Sequence, residues 1–139
     1  MIEVAHQHRT RRFSKKETLR VVRFVLQREG RHSLQVSVVF TDDSFIKRIN
    51  RDFLDHDYVT DVIAFPLDDR MEIDAELYVN LDQARRQAIE YGIRMHEEVK
   101  RLLVHGTLHI VGYRDTAKSR RDRMLKRENR LLSLLMKGH

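Results

Sequence analysis

The sequence contains no cysteine and no tryptophan, and only one proline and five glycines among 139 residues. Without cysteine there are no disulfides, no thiolate metal sites and no thiol nucleophile. With so little proline and glycine, and neither a low-complexity tract nor an internal repeat, no stretch reads as a linker. No apolar run approaches the ~18 residues needed to span a bilayer. Met1-Ile2-Glu3-Val4-Ala5-His6 has no basic segment followed by an apolar one, so no signal peptide is expected. The expectation is a cytoplasmic chain with no membrane partner. Aromatic residues make up 7% of the chain, so few side chains are available to stack on bases.

What is present is a soluble balance, 41% hydrophobic and 35% charged. The length suits one domain, taken as residues 1–139, large enough to bury roughly two-thirds of its unfolded surface. The net charge of +6 is unevenly spread: residues 1–31 carry nine Lys/Arg against three acids, and 113–139 repeat that ratio. Residues 41–82 carry four against twelve. Two basic ends around an acidic middle suit a polyanionic partner met by part of the surface. Solvated helix faces explain the same pattern.

Met1–Ala5 reads as a short strand. Ser14-Lys15-Lys16-Glu17 is a capping-box pattern ahead of Leu19, Val22, Val25 and Leu26 at helical spacing, stopped by Gly30. Leu34, Val36, Val38 and Phe40 alternate, as in a half-buried strand. Thr41 or Asp42 can cap a helix with Phe45, Ile49 and Phe53 on one stripe. Val62-Ile63-Ala64-Phe65 reads as a strand ended by Pro66, with an acidic loop through Asp74. Ala75, Leu77 and Val79 alternate with Glu76, Tyr78 and Asn80 in another strand. Helices follow from Asn80 to Gly92, from about Met95 to Val111, and through Met124, Glu128, Leu131, Leu132 and Leu135. These elements predict an α+β fold, a mixed sheet of about four strands covered by helices.

The chemistry concentrates in His105-Gly106-Thr107-Leu108-His109-Ile110-Val111-Gly112-Tyr113-Arg114-Asp115. Four residues apart on a helix, His105 and His109 share a face, where two ring nitrogens can lie ~2.0–2.1 Å from one zinc ion. Val104, Leu108 and Val111 fall on the other side, against the core. Gly112 can take positive φ, end the helix and turn Asp115 back as a third ligand. Ligands at these offsets, with glycine between, match the metalloprotease pattern H-E-x-x-H-x-x-G-x-x-H. Gly106 stands where that pattern has its general base and Asp115 where it has its third histidine. A peptidase is therefore disfavoured. A mid-helix glycine costs about 1 kcal/mol against alanine, and its missing side chain is expected to leave room for a bulky substrate group. Such a metal cup suits attack on phosphate, with the ion as Lewis acid and a metal-bound water as the attacking group.

The same stretch resembles the H-G-x-L-H-x-x-G-Y-x-H signature of the YbeY family of rRNA-maturation endoribonucleases. Asn50-Arg51-Asp52-Phe53-Leu54-Asp55-His56-Asp57 resembles that family's helix end, and Thr60-Asp61-Val62-Ile63-Ala64-Phe65-Pro66 its T-D-V-L-S-F-P strand. Ala75–Asn80 with the Ala84–Ala88 helix resembles the next strand and helix, so the likeness covers roughly residues 34–132. It implies a single-domain α+β fold with one zinc ion on three side chains, and His105, His109 and Asp115 stand at those positions. It further implies metal-dependent cleavage of single-stranded RNA, 16S rRNA 3′-end maturation, ribosome quality control, and the small ribosomal subunit and rRNA as partners. No small-molecule cofactor beyond the metal is implied. Two positions depart from the family. Asp115 replaces a histidine; its negative charge lowers the ion's Lewis acidity and suits a harder metal such as manganese. Leu54 stands where the family places an arginine, a candidate phosphate clamp; Arg51 and Arg114 are substitutes at other positions. The rival reading is a non-catalytic ribosome- or RNA-binding module with a structural metal, and Leu54 is its best support.

Other candidates have two readings each. His56, in an acidic loop, reads first as a surface histidine and second as support for the site, a partner or general base. Asp61 can orient a ligand or cap a turn. Glu128 can reach the site, but pairing with Arg120 or Arg121 is the preferred reading. His6, His8, His32, His96 and His139 have no partners at ligand spacing and read as solvated. Arg114, Lys118, Arg120, Arg121, Arg123, Lys126 and Arg127 can hold a phosphate backbone across the cup, largely without regard to sequence. Tyr113 can stack a base or simply pack on its turn.

Overall fold

The computed structural model describes residues 1–67 and 72–137. The 68–71 part of the expected acidic loop, and His139, lie outside them. In chain order the elements are β1 (Ile2–His6), α1 (Lys15–Arg28), β2 (Val36–Thr41), α2 (Asp43–Leu54), β3 (Val62–Pro66), β4 (Ala75–Asn80), α3 (Leu81–Tyr91), α4 (Met95–Ile110) and α5 (Lys118–Met136). This is the expected single α+β domain with a mixed four-stranded sheet, in the order β1-β2-β4-β3. β1 runs parallel to β2 and β2 to β4, while β3 lies antiparallel on the far edge with Val62 opposite Val79. Parallel neighbours need a crossover, and α1 supplies the one between β1 and β2.

Local chemistry sets the element ends. Ser14 caps α1 by accepting the Glu17 N–H, 3.1 Å, while the Glu17 carboxylate turns to Arg20 rather than back to Ser14. Asp42, not Thr41, caps α2 through the Phe45 N–H at 2.8 Å. Asn80 caps α3, and Gly92 ends it at φ +66°, where a Cβ would be strained. The α2 stripe differs from expectation. Ile46 and Asn50 are buried and Phe53 is exposed. Asn50 is drawn inward because its Nδ2 donates to the Tyr58 carbonyl, 3.0 Å, which holds the following loop. Phe45 and Phe53 instead reach the aromatic edge of the sheet, against Tyr78 and Phe65.

Val36, Val38 and Phe40 of β2, and Ala75, Leu77 and Val79 of β4, point into one core. The helix α4 runs through that core, in contact with α1, α3, α5, β3 and β4, with Val99, Leu102, Leu103, Val104 and Leu108 fully buried. Gly106 explains how it fits. A Cβ there would lie 2.3 Å from Leu77 Cδ1 and 3.0 Å from Val62 Cγ2. The missing side chain therefore admits the sheet, not a substrate group as the spacing had suggested. Among the described residues no helix is long and apolar enough to cross a membrane.

Candidate metal centre

The close seat of α4 on the sheet leaves its last two turns at the edge, with His105 and His109 half-buried. Gly112, at φ +113°, closes the helix and reverses the chain, and Asp115 returns to the imidazoles. His109 Nε2 lies 3.4 Å from Asp115 Oδ2. One potential ligand atom from each of His105, His109 and Asp115 lies within 4.8 Å of the others. Two ligands ~2.0–2.1 Å from one tetrahedral ion are about 3.3 Å apart, so the His109–Asp115 distance matches that of two ligands sharing an ion.

Each imidazole is anchored by its other nitrogen. His109 Nδ1 donates to the Tyr113 carbonyl at 3.2 Å, and His105 Nδ1 lies 2.7 Å from Glu128 Oε1. With Nδ1 committed as donor, Nε2 is the lone-pair nitrogen of both rings, which is the tautomer a metal requires. Burial, and then the neighbouring His105, push the His109 pKa below its ordinary value, so the ring is held neutral and able to ligate. Two imidazoles and a carboxylate fit a borderline divalent cation.

Behind His105 lies a polar network absent from the sequence reading. Glu128, 2% exposed, does not pair with Arg120 or Arg121. Besides His105 it faces Arg101 Nη1 at 3.6 Å. Arg101 donates from Nε and Nη2 to the fully buried Glu98, at 2.7 and 2.6 Å. Glu98 also accepts from Gln87 Nε2, 2.6 Å, and that amide reaches Asp61 Oδ2 at 3.3 Å. Asp61 is thus on the far side of this network from the ligands, and its carbonyl accepts the Asn80 N–H. The clue to Glu128 was its place one turn after buried Met124 on the apolar stripe of α5.

In front of His109 and Asp115 is a cleft of about 550 Å³, whose lining also includes Arg114, His56 and Leu54. His56 is exposed, its ring 5.2 Å from that of Tyr58. Leu54 is in the cleft wall, and Arg114 is the cation there. Arg51 pairs with Asp52 at 3.3 Å, away from the lining. Tyr113 packs against the core and its hydroxyl points to Glu29 Oε2, 3.4 Å. Lys118 pairs with Asp122, Arg120 donates to Thr116 Oγ1 and Arg121 to the Asp115 carbonyl, all on the surface. His8 is corrected. It is buried, with Nε2 2.7 Å from Asp82 Oδ1, and its Nδ1 accepts the Thr10 and Arg11 amides. His6 is half-buried, stacked on Phe40, and accepts the Phe13 N–H. His32 and His96 are exposed as expected.

The family described as Endoribonuclease YbeY matches residues 3–136. An Endoribonuclease YbeY of Chlorobium phaeobacteroides is 40% identical, over 91% of this chain and 92% of its own. One from Salinibacter ruber is 32% identical over 97% and 92%, and one from Chlorobium phaeovibrioides 35% identical over 86% and 80%. A Thermotoga maritima protein of known solution structure shares the fold, with a TM-score of 0.66 at 22% identity, over 95% of this chain and 87% of its own.

Proposed function

The chain belongs to the YbeY endoribonuclease family, and on that premise we propose that it cuts single-stranded RNA with one divalent metal ion, zinc, held by His105, His109 and Asp115. The observation that carries this reading is the convergence of two Nδ1-anchored imidazoles and a carboxylate at the mouth of a cleft. A divalent ion bound there supplies Lewis acidity toward a phosphodiester and activates water for its hydrolysis.

The chain's own residues do the rest. Glu128 and the Tyr113 carbonyl fix the two rings so that little reorganisation accompanies metal binding. Asp115 completes the donor set from the turn that follows α4. Arg114, in the cleft wall, holds the scissile phosphate or its neighbour, the task left open by Leu54. His56 lines the same cleft, and in this reading it gives or takes a proton at the reacting oxygens. Lys118, Arg120 and Arg121 extend the basic surface beyond the cleft, and Tyr113 offers a ring beside them. In the same proposal the substrate is 16S rRNA near its 3′ end, met on the small ribosomal subunit in the cytoplasm during rRNA maturation and ribosome quality control; the support is the family and the cysteine-free, basic composition.

The test is His109→Ala in full-length protein. We expect both bound metal and RNA cleavage to disappear; cleavage retained by metal-free variant protein contradicts the reading. Leu54 favours a second one, an RNA-binding module whose metal is a structural staple. A metal-replete sample that binds rRNA but cuts it with no divalent ion decides for that alternative.

A further inference from the structure

The cleft does not end at the ligands. Arg114 lines both the cleft and a second depression over Gly112. Tyr113 and Arg123 line that depression and also a third, a groove of about 940 Å³ along α5. The three hollows therefore adjoin one another through shared wall residues around the Gly112–Arg114 turn. Arg123, Lys126 and Arg130 recur at helical spacing on α5 and all line the groove, so they share one face. Other charges there are already matched: Arg127 donates to Glu29 Oε1 at 2.6 Å and Asp122 pairs with Lys118 at 2.9 Å. Among the described residues, no carboxylate lies within ion-pairing distance of Arg123, Lys126 or Arg130.

We propose that the substrate RNA, on leaving the cleft, passes over the Gly112–Arg114 turn and runs along α5, its phosphates held by Arg123, Lys126 and Arg130. This rests on the endoribonuclease reading and adds to it the direction of the strand and three contacts remote from the metal. From Arg123 to Arg130 the helix advances about 10 Å, so one row of cations follows one backbone. Tyr113, at the junction, offers a ring on which a base can stack where the strand bends. A single strand fits better than a duplex because the cations form one line on one helix.

The test compares the metal-loaded wild-type chain with the triple variant Arg123→Gln, Lys126→Gln, Arg130→Gln. All three side chains are exposed, so bound metal is expected to stay at the wild-type level. For an RNA of about 20 nucleotides near 0.1 M salt, binding should weaken roughly 10- to 100-fold, and the slope of log K on log salt should fall by about 2. Wild-type affinity should rise as RNA lengthens beyond about four nucleotides, and that rise should be lost in the variant. The pair Arg123→Lys, Arg130→Lys should keep the wild-type slope. An unchanged salt slope, or a loss equal on short and long RNA, overturns the track. A wild-type chain that cuts no RNA, yet shows the expected drop in slope, sinks the nuclease reading and leaves the track standing.

Discussion

The two imidazoles of the metal centre are held from opposite regions of the molecule. His109 is anchored within its own turn, by the carbonyl of Tyr113, and faces Asp115 six residues on. His105 is anchored across the fold by Glu128 of α5, and behind Glu128 stand Arg101 and Glu98 of α4, Gln87 of α3 and Asp61 of the loop before β3. The near half is one short stretch with its geometry written into helix period and a glycine turn. The far half exists only once α3, α4 and α5 have packed. The candidate ligand group is thus local, while its rigidity is global.

The largest effect should come from the far half. Arg101→Met leaves two buried carboxylates, Glu98 and Glu128, without their shared cation, and breaking a buried pair costs about 3–5 kcal/mol. Urea denaturation should show that loss; a variant as stable as wild type would mean that Arg101 is solvated rather than structural. Next, Glu128→Gln keeps an acceptor for the His105 N–H but removes the charge that strengthens the ligand. Metal affinity, measured against a competing chelator, should drop about 10- to 100-fold. Equal affinities would reduce the far half to packing alone. Asp115→His tests the near half: a neutral third ligand should raise zinc affinity relative to manganese, and an unaltered preference would place Asp115 outside the coordination sphere. Smallest is Gly106→Ala. The clash with Leu77 and Val62 should cost about 1–3 kcal/mol, offset by about 1 kcal/mol of helix propensity, with the net loss visible as a lower Tm.

The same division explains what could be read from the chain beforehand. Alternation of Val36, Val38 and Phe40, and of Ala75, Leu77 and Val79, gave the inner strands, and the caps at Ser14, Asp42, Asn80 and Gly92 were legible because each is a contact within a few residues. The convergence of His105, His109 and Asp115 was legible for that reason too. Three of the differences involve partners far away in sequence. Glu128 is 23 residues from His105 and was assigned to nearby arginines. His8 finds Asp82 across 74 residues, a pairing with no local trace. Gly106 looked like an opening for substrate because its neighbours, Leu77 and Val62, come from strands whose approach no helical pattern records. Asn50 entered the core through a hydrogen bond, which hydropathy does not register.

Elemental analysis of the purified chain, offered zinc or manganese and then dialysed, set beside Asp115→Ala treated alike, reaches the central claim in one step. A shared site predicts about one equivalent of divalent metal in the wild type and a marked loss in the variant. A wild type that retains none, or a variant that retains as much, would show that the two imidazoles and the carboxylate do not act on one ion.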